Sequence, residues 1–225
     1  LEAQARMRLK LAPPETVTLY NVLGLVDGAD AALSSQLVVV SCHYDGLGRA
    51  LDGALYPGAN GNASGVAAML EIARLWQEQE FQPRRSVLFA AWAGGELPYS
   101  GAHYLQDNRG YTTHFDISAV LHLDRLGSGA GEGLVVQPLG RRSSLFDLLV
   151  DSAGNLDVSV SQGDLSLHAY QKILSGRYGA LVATWGGPPP AWDQDTVERV
   201  NLSHLGQATQ AINLTLITAA HEPRY

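Results

Sequence analysis

Four residues that can bind metal ions or move protons each follow an apolar run of the sequence. His43 and Asp45 come after "LVVVSC", Glu96 closely follows "SVLFAAW", and Asp124 follows "SAVLHL". Imidazole nitrogens and carboxylate oxygens suit zinc, and a catalytic zinc keeps one coordination position open for water. If the apolar runs are neighbouring strands, the four side chains meet at one edge of a sheet and predict a metal site there.

Each of the four residues also has an ordinary structural explanation. His43 could be a hydrogen-bonded core histidine and Asp45 a turn residue. Asp124 could cap a helix, and Glu96 could be a solvated loop acid. Taken singly, each residue is better explained by its structural role. Their shared placement after apolar runs makes the metal site an equally good explanation.

Strand and helix patterns alternate along the whole chain. Apolar runs and apolar spacing predict strands at 16–25, 37–44, 86–92, 118–123 and 180–185, and helices at 62–79, 143–155 and 200–219. Runs that are apolar throughout are typical of strands buried on both faces. We therefore expect an α/β fold in a single domain of residues 1–225. It is a three-layer sandwich with a mixed, mostly parallel, twisted sheet between helices.

Length and composition exclude several classes of function. The net charge of -7, with no basic run, argues against nucleic acid as a partner. No stretch approaches about 18 uninterrupted apolar residues, so no transmembrane segment is predicted. Cys42 is the single cysteine and excludes both an internal disulfide and a cysteine-rich zinc site. The chain begins without Met or a signal-peptide pattern, and we expect it to be a domain excised from a longer polypeptide.

Four ordered motifs resemble those of the co-catalytic zinc aminopeptidases. They are "HYD" at 43–45, "PGANGNASG" at 57–65, "GGE" at 94–96 and "HLD" at 122–124. The family pattern is H-x-D, then P-G-x-x-D-N-x-S-G opening a helix, then G-E-E, N-x-D and a late His ahead of a D-T pair. The family includes bacterial leucine aminopeptidases, glutamate carboxypeptidase II and the single-zinc glutaminyl cyclases. The resemblance implies their α/β fold and a metal centre.

The resemblance implies a role for each of the four polar residues. His43 and Asp124 would hold one zinc ion, and Asp45 would orient the histidine. Glu96 would bind a second zinc ion.

Three other family positions lack the side chain that the mechanism needs. The bridging aspartate falls on Gly61, and the general-base glutamate falls on Gly95. The late histidine falls within "PPPAWDQDT", where only Ala191, Trp192 and Asp193 are available. Two dications about 3.5–4 Å apart repel each other without a bridging carboxylate. A general base typically contributes about 10²–10⁴-fold to the rate. We therefore expect the two-metal reaction to be lost.

Other side chains could rebuild a weak site for at most one zinc ion. His122 lies two residues before Asp124 and would point to the same face of a strand. His168 lies in a segment that resembles the family's S-D-H turn, and Asp193 or Asp195 could approach the position of the missing histidine. For His122 and His168 we favour a packing or pocket-wall role.

Two functions of different classes follow from these residues. We favour an aminopeptidase-like domain without peptidase activity that binds a peptide or protein ligand or supports a larger protein. Trp185 and Trp192 would line its pocket, unless they belong to a structural turn with buried indoles. The alternative is a residual one-metal hydrolase that acts on peptides, with rebuilt ligands or groups from outside this chain. Only the resemblance suggests a compartment, which would be extracytoplasmic or a membrane-anchored ectodomain.

Overall fold

The structure is a computed structural model that describes residues 16–97, 100–108, 110, 112–140, 144–163 and 179–222, together with residues 6, 8 and 13. Its strands are β1 (Val22–Val26), β2 (Gln36–His43), β3 (Gly48–Arg49), β4 (Leu55–Tyr56), β5 (Ser86–Trp92), β6 (Asp116–Leu123), β7 (Gly133–Gly140), β8 (Ser159–Gln162) and β9 (Gly179–Trp185). Its helices are α1 (Ser64–Glu78), α2 (Ser100–Asp107), α3 (Ser144–Gly154) and α4 (Leu202–His221). In the part of the chain that the structure describes, none of the helices is long and apolar enough to cross a membrane.

Seven strands form one sheet in the order β1-β5-β2-β6-β9-β7-β8. The four central strands, β5, β2, β6 and β9, run parallel to one another. β1 is antiparallel to β5, and β7 is antiparallel to β9 but parallel to β8. The sheet is therefore mixed and mostly parallel, which confirms the predicted fold class.

Helices cover both faces of this sheet. On β2, Val38 and Val40 pack toward α1, α3 and α4, whereas Leu37 and Val39 pack toward the opposite face, where Ala102 of α2 lies. Alternate residues of a strand point to opposite faces, so a strand that is apolar throughout contributes to two cores. The three-layer sandwich is therefore confirmed.

The observed elements differ from the predicted ones chiefly where the apolar pattern is interrupted. β1 begins only at Val22, within the predicted strand 16–25. The pattern did not predict β7, because Pro138 interrupts its apolar run and proline has no N–H to donate to a strand neighbour. In the structure Pro138 pairs with Leu181 of β9 inside the sheet. The pairing of β7 with β9 therefore outweighs the tendency of proline to interrupt a strand.

Candidate functional site

His43, Asp45 and Asp124 lie side by side at the carboxyl ends of β2 and β6. These strands are parallel neighbours, so the residues at their ends meet at one edge of the sheet. The Nε2 atom of His43 lies 3.9 Å from Oδ1 of Asp124. Its Nδ1 atom lies 3.4 Å from Oδ1 of Asp45 and donates to the Asp45 carbonyl at 3.2 Å. A buried imidazole thus stands between two carboxylates.

Asp45 joins the end of β2 to the loop after β5. Its Oδ1 accepts the backbone N–H of Gly95 at 2.7 Å, and its Oδ2 accepts that of Glu96 at 3.1 Å. Hydrogen bonds from N–H groups to an ionised carboxylate are stronger than those between neutral groups. The carboxylate of Asp45 therefore fixes the loop that carries the expected positions of the general base and of a zinc ligand.

Gly95 is buried against His43, and the contact leaves no room for a side chain. A β carbon built on Gly95 would lie 2.4 Å from Cβ of His43 and 2.5 Å from its Cγ. Such approaches are far shorter than the ~3.5–4.0 Å optimum between carbon atoms. A glutamate cannot be placed at this position on the present backbone.

Glu96 is an exposed residue within electrostatic reach of the other acids. Partial desolvation raises the pKa of its carboxyl, and the positive field of His43 opposes that rise. The negative charges of Asp45 and Asp124 raise the pKa further, whereas the guanidinium of Arg125 lowers it. Glu96 therefore shares one electrostatic environment with the histidine and the two aspartates.

Asp195 faces the backbone beside Gly61, the position expected for the bridging aspartate. Its Oδ1 accepts the N–H of Asn60 at 2.8 Å, and its Oδ2 accepts the N–H of Gly61 at 2.9 Å. A β carbon on Gly61 would lie 3.4 Å from the same Oδ2, which is an ordinary contact. Both oxygens of Asp195 are thus used to hold the turn before α1.

Asn62 and Ser64 fasten the start of α1 to the end of β6. The Asn62 side chain donates to the Leu123 carbonyl at 2.8 Å and accepts the N–H of Gly65 at 3.2 Å. The Ser64 hydroxyl accepts the N–H of Leu126 at 3.1 Å. These short polar side chains satisfy backbone groups that the ends of the helix and strand leave unpaired.

Arg125 is a functional candidate that the sequence reasoning missed. Its Nε donates to Oδ2 of Asp124 at 3.1 Å, and the side chains are 29% and 7% exposed. Its N–H donates to Oδ1 of Asn62 at 2.9 Å, and its carbonyl accepts the Thr184 hydroxyl at 3.1 Å. The sequence feature that could have identified Arg125 is its place directly after Asp124, because a cationic residue beside a proposed metal ligand can compete with the metal.

The suggested substitute ligands are not all brought to this cluster. His122 is fully buried, with its Nδ1 2.9 Å from the hydroxyl of Ser41, and burial holds its pKa well below the usual range. This places it in the interior of the sheet as a neutral imidazole. Asp193 is exposed in a short 3-10 turn, and His168 lies outside the described residues.

The two tryptophans have different surroundings. Trp185 is buried, stacks on His204 with ring centroids 4.5 Å apart, and helps to line a cleft of about 340 Å³. The cleft is also lined by Asn60 and Arg125, so it opens beside the cluster. Trp192 is 63% exposed and does not line this cleft.

Comparison with known proteins identifies the family of this chain. The sequence profile described as Peptidase family M28 matches residues 21–173, which is more than half of the chain. The chain belongs to peptidase family M28. The resemblance to zinc aminopeptidases, inferred from the four motifs, is confirmed.

Two curated proteins show sequence similarity to this chain. A probable zinc metalloprotease of Pyrenophora tritici-repentis is 32% identical over 123 residues, which cover 53% of this chain and 24% of that protein. Human transferrin receptor protein 2 is 26% identical over 197 residues, which cover 85% of this chain and 21% of the receptor. The chain spans about a quarter or less of the length of these relatives.

Solved structures share the M28 fold at low sequence identity. A zinc aminopeptidase of Bacillus subtilis matches with a TM-score of 0.71 and 20% identity, over 91% of this chain and 51% of that chain. Nicastrin, described as a component of gamma-secretase, matches with a TM-score of 0.71 and 14% identity, over 91% of this chain and 44% of that chain. These matches support the three-layer α/β architecture.

The paired zinc centre that aminopeptidases of this family imply does not fit the described side chains. Gly61 and Gly95 offer no ligand or base, and the segment expected to carry the late histidine offers only Ala191, Trp192 and the exposed Asp193. Among the residues that the structure describes, no three His, Cys, Asp or Glu side chains form a group that could hold a metal ion. One oxygen of Asp124 is already bonded to Arg125. The described site therefore keeps three carboxylates and one imidazole but lacks the further side chains that a two-metal centre needs.

Proposed function

We propose that this M28 domain has lost peptidase activity and serves as a binding or scaffold domain. The observation that carries the proposal is the buried contact between Gly95 and His43, which excludes a general base from its expected position. The hydrolysis of a peptide requires that a proton be removed from the attacking water. With no base at 95 and no bridging carboxylate at 61, the family reaction has lost two of its components.

Two relatives support a binding role by the way they are named. One is a receptor, transferrin receptor protein 2, and the other is nicastrin, a component of gamma-secretase. Both are similar to most of this chain, but this chain covers less than half of either of them. We infer that a domain of this fold can work as one part of a larger binding protein.

An apolar groove between β1 and α1 is the surface that we assign to binding. The groove measures about 680 Å³, and its lining includes Leu23, Leu70 and Trp76. Val22 and Leu70 are 62% and 60% exposed, and β1 is the outermost strand of the sheet among the described residues. An outer strand offers unpaired backbone groups to an added strand. The occupant that fits is an extended, apolar polypeptide segment lying beside β1.

The alternative is a residual one-metal hydrolase that acts on peptides. It is favoured by the 3.9 Å separation of His43 Nε2 from Asp124 Oδ1, which leaves two donor atoms close together. Water molecules or groups from outside this chain would have to complete the coordination of a single, weakly held zinc ion. This enzyme would also need a base other than residue 95.

An assay of aminoacyl-anilide hydrolysis tests the proposed loss of activity. The chain is assayed at several zinc concentrations, with the Bacillus subtilis zinc aminopeptidase as a positive control. We expect no hydrolysis above the buffer rate. Hydrolysis that rises with added zinc and disappears in His43→Ala would establish the alternative instead.

A further inference from the structure

The two carboxylate oxygens of Asp124 face two different cations or potential cations. Oδ1 faces Nε2 of His43 at 3.9 Å, and Oδ2 accepts Nε–H of Arg125 at 3.1 Å. Asp124 is buried, and a buried carboxylate needs a compensating positive charge. We propose that the guanidinium of Arg125 is the resident cation of this site and that it weakens zinc binding at His43 and Asp124.

The backbone holds Arg125 in place independently of its side chain. Its N–H donates to Asn62, and its carbonyl accepts from the Thr184 hydroxyl and, at 3.2 Å, from the N–H of Trp185. Its φ of 51° lies in the left-handed region, which non-glycine residues rarely adopt. Such a conformation is kept only where the surrounding contacts determine it. The guanidinium is therefore attached to a rigid part of the fold.

The charges around Arg125 explain why a cation is needed. Asp45 and Asp124 flank the imidazole of His43, and Glu96 lies within electrostatic reach of all three residues. The guanidinium of Arg125 pairs directly with Asp124 and also lies within electrostatic reach of Glu96. One guanidinium thus offsets negative charge on more than one acid.

A fixed positive charge beside Asp124 opposes the binding of a dication there. Two positive charges a few Å apart repel each other by an amount that changes an affinity by tenfold or more at the effective dielectric of a protein surface, about 20. Oδ2 of Asp124 would also have to exchange its hydrogen bond with Arg125 for a metal bond. The inference rests on the proposed non-catalytic function, because it explains how the acids persist without a metal pair.

The test measures the zinc affinity of Arg125→Gln by competition with a chromogenic chelator. Glutamine keeps an N–H donor of similar reach and removes the charge. We expect Arg125→Gln to bind one zinc ion at least about tenfold more tightly than the parent. Arg125→Lys, which keeps the charge, should stay close to the parent. Zinc affinities of folded Arg125→Gln and the parent that agree within about twofold would overturn the proposal.

Two matched variants identify the cause of any gain. Arg84→Gln removes an arginine that pairs with Asp30 elsewhere, at 2.6 Å, and should leave the zinc affinity unchanged. Adding Asp124→Asn to Arg125→Gln should abolish the gain, because the carboxylate that binds the metal is removed. A gain that persists without this carboxylate would overturn the assignment.

A refolding experiment covers the case in which Arg125→Gln does not fold alone. The variant is refolded with zinc and, separately, with magnesium at the same concentration. Rescue by zinc alone supports the proposal, and rescue by neither ion overturns it. The failure of this inference is distinct from failure of the proposed function, which is decided by hydrolysis in the parent chain.

Discussion

Gly95 approaches His43 so closely that a methyl group at this position tests the geometry of the whole site. A β carbon there would lie 2.4 Å from Cβ of His43, and the backbone of the loop must move to admit it. We expect Gly95→Ala to lower the free energy of unfolding by about 1–3 kcal/mol, as overpacking of a buried contact does. The measurement is urea denaturation followed by circular dichroism.

Gly206→Ala is the matched control for Gly95→Ala. Gly206 lies inside α4, and a β carbon there meets no atom within 4 Å. Alanine is favoured over glycine in a helix interior, so this variant should gain up to about 1 kcal/mol. If Gly95→Ala is as stable as the parent, the close contact with His43 is wrong and a general base could be accommodated.

Asp195 gives a second prediction at the scale of single residues. Its two oxygens accept the N–H groups of Asn60 and Gly61, and the residue is buried. Asp195→Asn replaces one acceptor by an NH₂ group that faces an N–H donor. We expect a loss of about 1–3 kcal/mol in the free energy of unfolding, measured from the denaturant midpoint and slope. The exposed Asp193→Asn should stay within about 0.5 kcal/mol of the parent.

Equal effects of the two asparagine variants would contradict the role given to Asp195. In that case its hydrogen bonds to the turn before α1 would contribute no net stability. Asp195 would then be available as a metal ligand, as the sequence alone had suggested.

At the scale of elements, the groove between β1 and α1 should bind an apolar probe. Leu70 of α1 and Val22 of β1 expose apolar surface on its two sides. We expect the fluorescent dye 1-anilinonaphthalene-8-sulfonate to bind the native chain and to lose most of its fluorescence enhancement in Leu70→Gln. Leu51→Gln, at a fully exposed position outside the groove, should leave the dye signal unchanged. Equal dye fluorescence from the two variants would contradict the assignment of this groove as the binding surface.

The element pattern of this chain was predictable where strands are apolar throughout. β5 begins and ends where its apolar run does, and β2 and β9 agree with their runs to within one residue. The positions of His43 and Asp124 follow from this, because parallel strands end at the same edge of the sheet. β7 was not predictable, because its place beside β9 outweighs the effect of Pro138.

The partners within the site depend on three-dimensional contacts that no sequence pattern encodes. The pairing of Arg125 with Asp124 depends on a left-handed backbone that Asn62 and Thr184 hold. The role of Asp195 depends on two backbone N–H groups about 135 residues earlier in the chain. The residue types predicted which side chains could bind a metal ion. They did not predict that Asp124 pairs with Arg125 or that Asp195 binds backbone N–H groups.

At the scale of the whole molecule, Cys42 reports on global unfolding. Cys42 lies on β2 in the core that faces α1, with its Sγ 3.9 Å from Sδ of Met69. Burial raises the pKa of its thiol to about 12. The thiolate is the reactive form, so the native chain should resist thiol reagents from pH 7 to pH 9. We expect labelling by 5,5′-dithiobis(2-nitrobenzoic acid) only at the rate of unfolding.

An exposed cysteine provides the control for this labelling. Ser203→Cys, at an exposed position in the first turn of α4, should react at once under the same conditions. The urea-unfolded parent should react equally fast at Cys42. Rapid labelling of the native parent would contradict the packing of the core beneath the candidate site.

The zinc content of the chain tests the central claim most directly. The protein is purified without a histidine tag, equilibrated with excess zinc, dialysed against metal-free buffer and measured by inductively coupled plasma mass spectrometry. We predict less than one zinc ion per chain, because Gly61 and Gly95 supply no side chain and Arg125 already pairs with Asp124. Two tightly held zinc ions per chain would contradict the account and restore a two-metal peptidase.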